Sequence, residues 1–153
     1  MDLAHRLHLP LRRTRDRPVG DPARRPWLIA WLGGPVIGIV NGAVRELVYK
    51  DEIGEFTARQ ISGGSAVILF TLYFWLLQRR WPLRSTRSAL EVGAVWVALT
   101  VLFEFGFGRY VEGNSWDELF DAYNVAEGNL WLLVLLWLGV GPAVVRRLSS
   151  PSR

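Results

Sequence analysis

The chain has 153 residues, enough for one domain, and half of them are hydrophobic. It contains no cysteine, and its two histidines, His5 and His8, lie near the N-terminus, so we expect no cofactor and no metal centre in the apolar part. The net charge of +4 does not indicate nucleic-acid binding, because the basic residues flank apolar blocks in a pattern typical of membrane proteins.

Residues 1–26 are rich in arginine and proline. Prolines at this spacing oppose a continuous helix, so we predict a mostly disordered cytoplasmic tail. Its arginines either fix the topology of the chain or contact anionic headgroups, and the sequence leaves both roles open.

Four apolar blocks follow the tail, and each is near the ~20 residues that a helix needs to cross a bilayer. Backbone groups in lipid must be paired within their own segment, so each block is predicted to be helical. The predicted fold is therefore an all-α membrane protein with a bundle of four transmembrane helices, formed by residues 27–148. The predicted spans are about 27–49, 60–77, 89–107 and 125–145.

The basic residues predict the orientation of the bundle. Fourteen of the 18 lysines and arginines lie before the first block, between the second and third, or after the fourth. The positive-inside rule places these segments in the cytoplasm. We therefore expect a multi-pass protein of a bacterial inner (cytoplasmic) membrane, with both termini cytoplasmic.

The outer loop between the third and fourth blocks contains a helix signal. Ser115 and Glu118 have the spacing of a capping box. Apolar residues then recur at helical intervals, which predicts a short amphipathic helix over about 115–124, lying on the outer interface or folded over the mouth of the bundle. The residues of that stripe are Trp116, Leu119, Phe120 and Tyr123.

Small residues recur at every fourth position of the first block. Such a ladder lets another helix backbone approach closely, so we predict tight helix packing along it. The alternative is contact between copies of the chain, or with a larger membrane complex, through the same face. The ladder consists of Ala30, Gly34, Gly38 and Gly42.

Two charged residues lie about one turn inside the outer boundary of the bundle. Arg45 is near the outer end of the first block, and Glu104 is near the outer end of the third, among phenylalanines. A charge at that depth costs ~2.5–3.5 kcal/mol on insertion scales and needs a partner. Their similar depth predicts an ion pair between them, although Arg45 can also reach the interface through its long side chain.

Further polar residues enter every predicted helix from the same outer side, whereas the opposite halves are apolar. A one-sided polar cluster within a membrane predicts either a binding site or a hydrogen-bonded network that fixes the register of the helices. The predicted lining of the site is Asn41, Arg45, Glu46, Glu104, Asp121, Asn124 and Glu127.

Four stretches of this sequence, 41–46, 103–108, 113–116 and 121–124, carry a resemblance to known proteins. They resemble a group of small bacterial inner-membrane proteins to which no activity has been assigned. The resemblance covers about residues 27–148 and implies a four-helix membrane fold, but no activity.

Three functional classes agree with these patterns. The leading prediction is an outward-facing polar site that binds an ion, a proton or a lipid headgroup, for transport or sensing. The second is a structural or assembly subunit of a larger membrane complex. The third is an enzyme acting on lipid headgroups, although the sequence has no recognisable nucleophile or metal set and we expect no catalytic residue.

Overall fold

The computed structural model describes residues 20–121, 123–124 and 129–149, and all regular secondary structure in these ranges is helical. Four helical segments, 24–53, 55–80, 86–110 and 131–149, are long and apolar enough to cross a membrane. The predicted all-α fold with four such helices is confirmed. The elements are α1 (Arg24–Ala30), α2 (Gly33–Val44), a π-helical segment (Arg45–Tyr49), α3 (Lys50–Ile53), α4 (Glu55–Arg80), α5 (Thr86–Tyr110), α6 (Trp116–Asp121) and α7 (Trp131–Ser149).

The first three predicted spans lie inside the observed segments, which extend a few residues further at each end. The fourth observed helix begins at Trp131 rather than at residue 125, and residues 125–128 are outside the described ranges. Most of the predicted tail is also outside them, and α1 begins at Arg24, within the last part of that tail.

The first spanning segment is interrupted at Trp31 and Leu32 because Pro35 has no backbone N–H. The carbonyl of Trp31 accepts a hydrogen bond from the Gly34 N–H at 2.7 Å instead. The carbonyl of Ala30 is thereby left for the Tyr73 hydroxyl, which donates to it at 2.8 Å. The interruption is therefore tied to α4 by a side chain.

The core is centred on two tryptophans and a phenylalanine, each with no exposed surface: Trp27, Phe74 and Trp96. Their rings lie within 5.3–6.4 Å of one another, measured between centroids. Trp96 Nε1 donates to the Trp27 carbonyl, and Trp27 Nε1 donates to the Trp81 carbonyl, both at 2.9 Å. These bonds join α1, α5 and the end of α4.

The end of the bundle that carries most of the arginines, here called the basic end, is held together by side chains. Arg146 of α7 donates to the carbonyls of Leu83 and Arg84 at 3.1 and 2.9 Å. Asp21 accepts from the Arg84 N–H at 2.8 Å, and Arg24 forms an ion pair with Glu91. All four spanning segments are thus fixed to one another at this end.

Two helices, α5 and α7, approach each other closely at a pair of glycines. A Cβ placed on Gly93 would lie 2.0 Å from the Gly139 carbonyl oxygen. In the predicted ladder, Gly34 packs on Phe70 and Trp96, but a Cβ on Gly38 or Gly42 would meet no atom within 4 Å. Ala30 also packs against the core, so the half of the ladder formed by Ala30 and Gly34 is in contact with other helices and the half formed by Gly38 and Gly42 is not.

The short helix α6 begins as the sequence predicts. Ser115 Oγ accepts from the Glu118 N–H at 3.2 Å, and the Glu118 carboxylate accepts from the Ser115 N–H at 2.7 Å. The helix ends at Asp121 rather than near residue 124. The helix lies on the end of α5, where the Leu119 side chain packs on Gly108. A Cβ added to Gly108 would lie 2.5 Å from Leu119 Cδ2.

A candidate ligand-binding cavity

A cavity of about 450 Å³ lies beside the first spanning segment, at the end of the bundle opposite the basic end. It exists because α2 packs on α4 and makes little contact with α5. Its apolar part is lined by Trp31, Gly34, Gly38, Phe70, Trp96, Phe103 and Leu138. Its polar part includes Arg45, Thr100, Glu104, Glu112, Asn114, Glu118, Tyr123, Asn129 and Trp131.

Glu104 is the central polar group of this cavity. Its Oε2 accepts hydrogen bonds from the Tyr123 hydroxyl at 2.6 Å and from Trp131 Nε1 at 3.0 Å. Its Oε1 accepts none from the described residues. That oxygen is not fully buried, because Arg24 Nε is the sole fully buried side-chain nitrogen or oxygen without a hydrogen-bond partner in the described ranges. One carboxylate oxygen is therefore fixed by the protein and the other is available to a ligand.

Phe105 places Tyr123 for this contact. The ring of Phe105 lies 5.8 Å from that of Tyr123, 5.3 Å from Phe120 and 6.3 Å from Trp116, measured between centroids. The three aromatic residues of the predicted stripe thus pack around one residue of α5. Burial raises the pKa of the Tyr123 phenol well above its usual value, and the hydrogen bond to the Glu104 carboxylate adds to this. Tyr123 is therefore a proton donor to Glu104 at any physiological pH.

The predicted ion pair between Arg45 and Glu104 is not formed. Arg45 donates to Glu46 Oε1 from Nε at 3.0 Å and from Nη2 at 2.8 Å. The other Glu46 oxygen accepts from Lys50 at 2.7 Å. Glu46 is the nearer carboxylate because it is adjacent in sequence, within the π-helical segment that begins at Arg45. Arg45 still borders the cavity.

Asn41 has a contact with α4 and does not line the described cavity wall. Its amide nitrogen donates to the carbonyl and hydroxyl of Ser62 at 2.8 and 3.0 Å. Its amide oxygen accepts from the Ser65 hydroxyl at 2.7 Å. All these bonds hold α2 against α4, so Asn41 fixes the position of α2 and is not a ligand-binding group.

Of the remaining predicted lining residues, the structure describes Asp121 and Asn124. Asp121 is exposed, and its backbone carbonyl accepts from the Asn124 N–H at 2.9 Å and the Asn129 side chain at 3.1 Å. Neither Asp121 nor Asn124 is in the described wall. Glu127 lies outside the described residues. Of the seven predicted residues, Arg45 and Glu104 therefore border the cavity.

Sequence reasoning missed the two donors to Glu104 and the carboxylates beside it. Tyr123 was placed in an amphipathic stripe and Trp131 inside an apolar helix, so neither carried a polar signal. Glu112 and Glu118 belong to the outer loop, where charges are ordinary. Glu118 has a structural role, and the pKa of its carboxyl is lowered by the hydrogen bonds from the Ser115 N–H and hydroxyl group.

Metal binding has no geometric support in the described ranges, where no three His, Cys, Asp or Glu side chains are grouped to hold an ion. Comparison with protein-family models, curated proteins and solved structures found no match for this chain. The resemblance to small bacterial inner-membrane proteins therefore stays a prediction. The cavity is the feature of this structure that points to a function.

Proposed function

We propose that this chain is a multi-pass membrane protein that binds a membrane amphiphile in an outward-facing cavity, for transport or sensing. The polar end of the ligand lies at Glu104, and its apolar end lies against the aromatic rings of the cavity wall, such as those of Phe70 and Trp96. The four apolar spanning segments support membrane insertion. Orientation and membrane are part of the same proposal, namely a bacterial inner membrane with both termini in the cytoplasm, supported by the charge asymmetry.

The observation that carries this proposal is the state of the Glu104 carboxylate. It is half-buried in a segment long enough to span a bilayer, and charges in such segments are costly and mark functional sites. The large majority of buried polar side-chain atoms in proteins have a hydrogen-bond partner. Here two donors hold one oxygen of Glu104, whereas the other has no donor among the described residues and belongs to a cavity with polar and apolar walls.

The shape of the cavity favours an amphiphile over a bare ion. Ligand cavities of ~300–1,000 Å³ take molecules of drug or lipid-segment size, and this one falls within that range. An ion would need several oxygen ligands grouped around it, and in the described ranges no three acidic side chains are grouped in that way. An apolar chain can lie against Gly38, where the helix has no side chain.

We expect Glu104→Gln to lower the amount of lipid that the protein retains. A hydrogen bond to a charged group contributes about 1.5–3 kcal/mol, so its loss weakens binding about tenfold or more. The measurement is the lipid content per protein after exchange into a mild detergent, by quantitative mass spectrometry. Gly38→Phe is expected to release lipid as well, because it fills the cavity without displacing an atom within 4 Å of the new Cβ.

The matched control is Glu55→Gln. Glu55 is also a glutamate near the same end of the bundle, but it pairs with Arg59 and is not part of the described wall. This variant is expected to retain lipid as the parent does. If Glu104→Gln and Gly38→Phe both keep the parental lipid content, no amphiphile is held in this cavity and the proposal is wrong.

The proposed orientation has its own test. A reporter active only in the periplasm is expected to be active when inserted between Gly113 and Ser115, and inactive when fused after Arg153. The opposite pattern would place the cavity on the cytoplasmic side.

The other two functional classes stay predictions from the sequence. They are assembly into a larger membrane complex through the glycine face, and an enzyme that acts on lipid headgroups.

A further inference from the structure

We infer that the headgroup held at Glu104 ends in a protonated primary amine. This inference rests on the proposed function and adds the chemical class of its ligand. It follows from three properties of the cavity: the sign of the charges around it, the absence of a cation beside Glu104 in the described ranges, and the kind of hydrogen bond that its open oxygen can make.

The charges on the cavity wall are mainly negative. Three carboxylates line it, those of Glu104, Glu112 and Glu118, against one guanidinium, that of Arg45. Arg45 is already paired with Glu46, which occupies its Nε and Nη2 atoms. A cationic group is therefore attracted to this wall, and an anionic headgroup is repelled by it.

Glu104 is surrounded by neutral donors. Tyr123 and Trp131 supply two hydrogen bonds to its Oε2 but no positive charge. No lysine or arginine in the described ranges forms an ion pair with this carboxylate. A charged carboxylate in a low-dielectric setting is strongly stabilised by an adjacent cation, and an ammonium on the ligand would supply it.

The open oxygen of Glu104 selects among cations by their hydrogen bonds. A primary ammonium has three N–H donors and can place one of them on Oε1. A trimethylated ammonium carries the same charge but has no N–H, so it leaves Oε1 without a bond. It keeps the attraction of its charge to the carboxylates and to aromatic faces such as Phe103, and it loses only the hydrogen bond. The two headgroups therefore separate the hydrogen bond from the charge.

The test uses three phospholipids with identical acyl chains, mixed in equal amounts in nanodiscs with the intact protein. Phosphatidylethanolamine has a primary ammonium, phosphatidylcholine has a trimethylated ammonium, and phosphatidylglycerol has an anionic headgroup. Native mass spectrometry counts each lipid bound to the released protein. The difference in bound lipid between the parent and Gly38→Phe, whose side chain fills the cavity, gives the lipid held there. Gly38→Leu is a second cavity-filling variant, for use if Gly38→Phe does not fold.

We expect the lipid bound in the cavity to be phosphatidylethanolamine rather than either of the other two lipids by a factor of about ten. This factor is the effect of one hydrogen bond to a charged group. Glu104→Gln should abolish this preference, and Glu55→Gln should leave it unchanged. Equal retention of all three lipids, or a preference for phosphatidylglycerol, overturns the inference while the cavity-filling variants still show that a lipid is held there. If the cavity-filling variants fold and release no lipid, the proposed function itself fails.

Discussion

Replacing Gly93 by alanine is expected to destabilise the bundle strongly, although it adds a single methyl group. That methyl group would lie 2.0 Å from the Gly139 carbonyl oxygen, and the clash is with backbone that cannot rotate away. Overpacking of this kind costs about 1–3 kcal/mol, and we expect the upper end of that range because α5 and α7 must separate. The measurement is thermal unfolding in detergent, with a shift to lower temperature.

The control for Gly93→Ala is Gly38→Ala on the first helix. A Cβ at Gly38 meets no atom within 4 Å, and alanine is favoured over glycine inside helices by roughly 0.5–1 kcal/mol. We therefore expect the control to be neutral or slightly stabilising. Equal destabilisation by both changes would show that the first helix is as tightly packed as the contact between α5 and α7, and would contradict the open cavity.

Removal of the Trp27 side chain is expected to have the largest effect of any substitution in the core. Trp27 has no exposed surface and contacts both Phe74 and Trp96. Its Nε1 also donates to the Trp81 carbonyl. Truncation of a buried tryptophan to alanine costs about 3–5 kcal/mol, so Trp27→Ala should unfold at a much lower temperature than the parent.

Two further variants separate the contributions at Trp27. Trp27→Phe keeps an aromatic ring but loses the bond to Trp81, at a cost of about 1–2 kcal/mol. Trp75→Ala removes a tryptophan that is 40% exposed on the side of α4, and we expect it to cost less than about 1 kcal/mol. If Trp27→Ala and Trp75→Ala unfold at the same temperature, α1 is not anchored in the core as described.

The helices were predictable because a continuous apolar block of about 20 residues has few other ways to satisfy its backbone in lipid. The start of α6 was predictable because Ser115 and Glu118 form a local capping box that needs no tertiary contact. The extra length of α4 and α5 could not be predicted in this way. Polar residues such as Gln78 and Ser88 end the hydrophobic pattern but continue the helix, and both are buried.

The glycine ladder shows why packing could not be read from spacing. A row of glycines permits either close contact or an open groove, since both need only the absence of a side chain. Gly34 is in contact with Phe70 and Trp96, whereas Gly38 lines the cavity. The deciding factor is the position of α5 relative to α2, which depends on contacts distant in sequence, such as that between Gly93 and Gly139.

The partner of Arg45 could not be predicted for a related reason. Depth within the membrane can be counted along each helix, but the rotation of one helix relative to another cannot. The π-helical segment that begins at Arg45 changes which residues share a face beyond it. Glu46 was predicted to line the site as a separate group, yet it is the carboxylate that Arg45 contacts.

The most direct test of the proposed cavity is an experimental density map of the protein in native lipid. We expect elongated density between α2 and α5, with its polar end within hydrogen-bonding distance of Glu104 Oε1. Tyr123 and Trp131 should donate to the other carboxylate oxygen, Oε2, as described above. A map in which α2 is packed against α5, with the cavity closed and Arg45 paired with Glu104, would contradict the proposal. The charged residues of this region would then act as structural ties between helices.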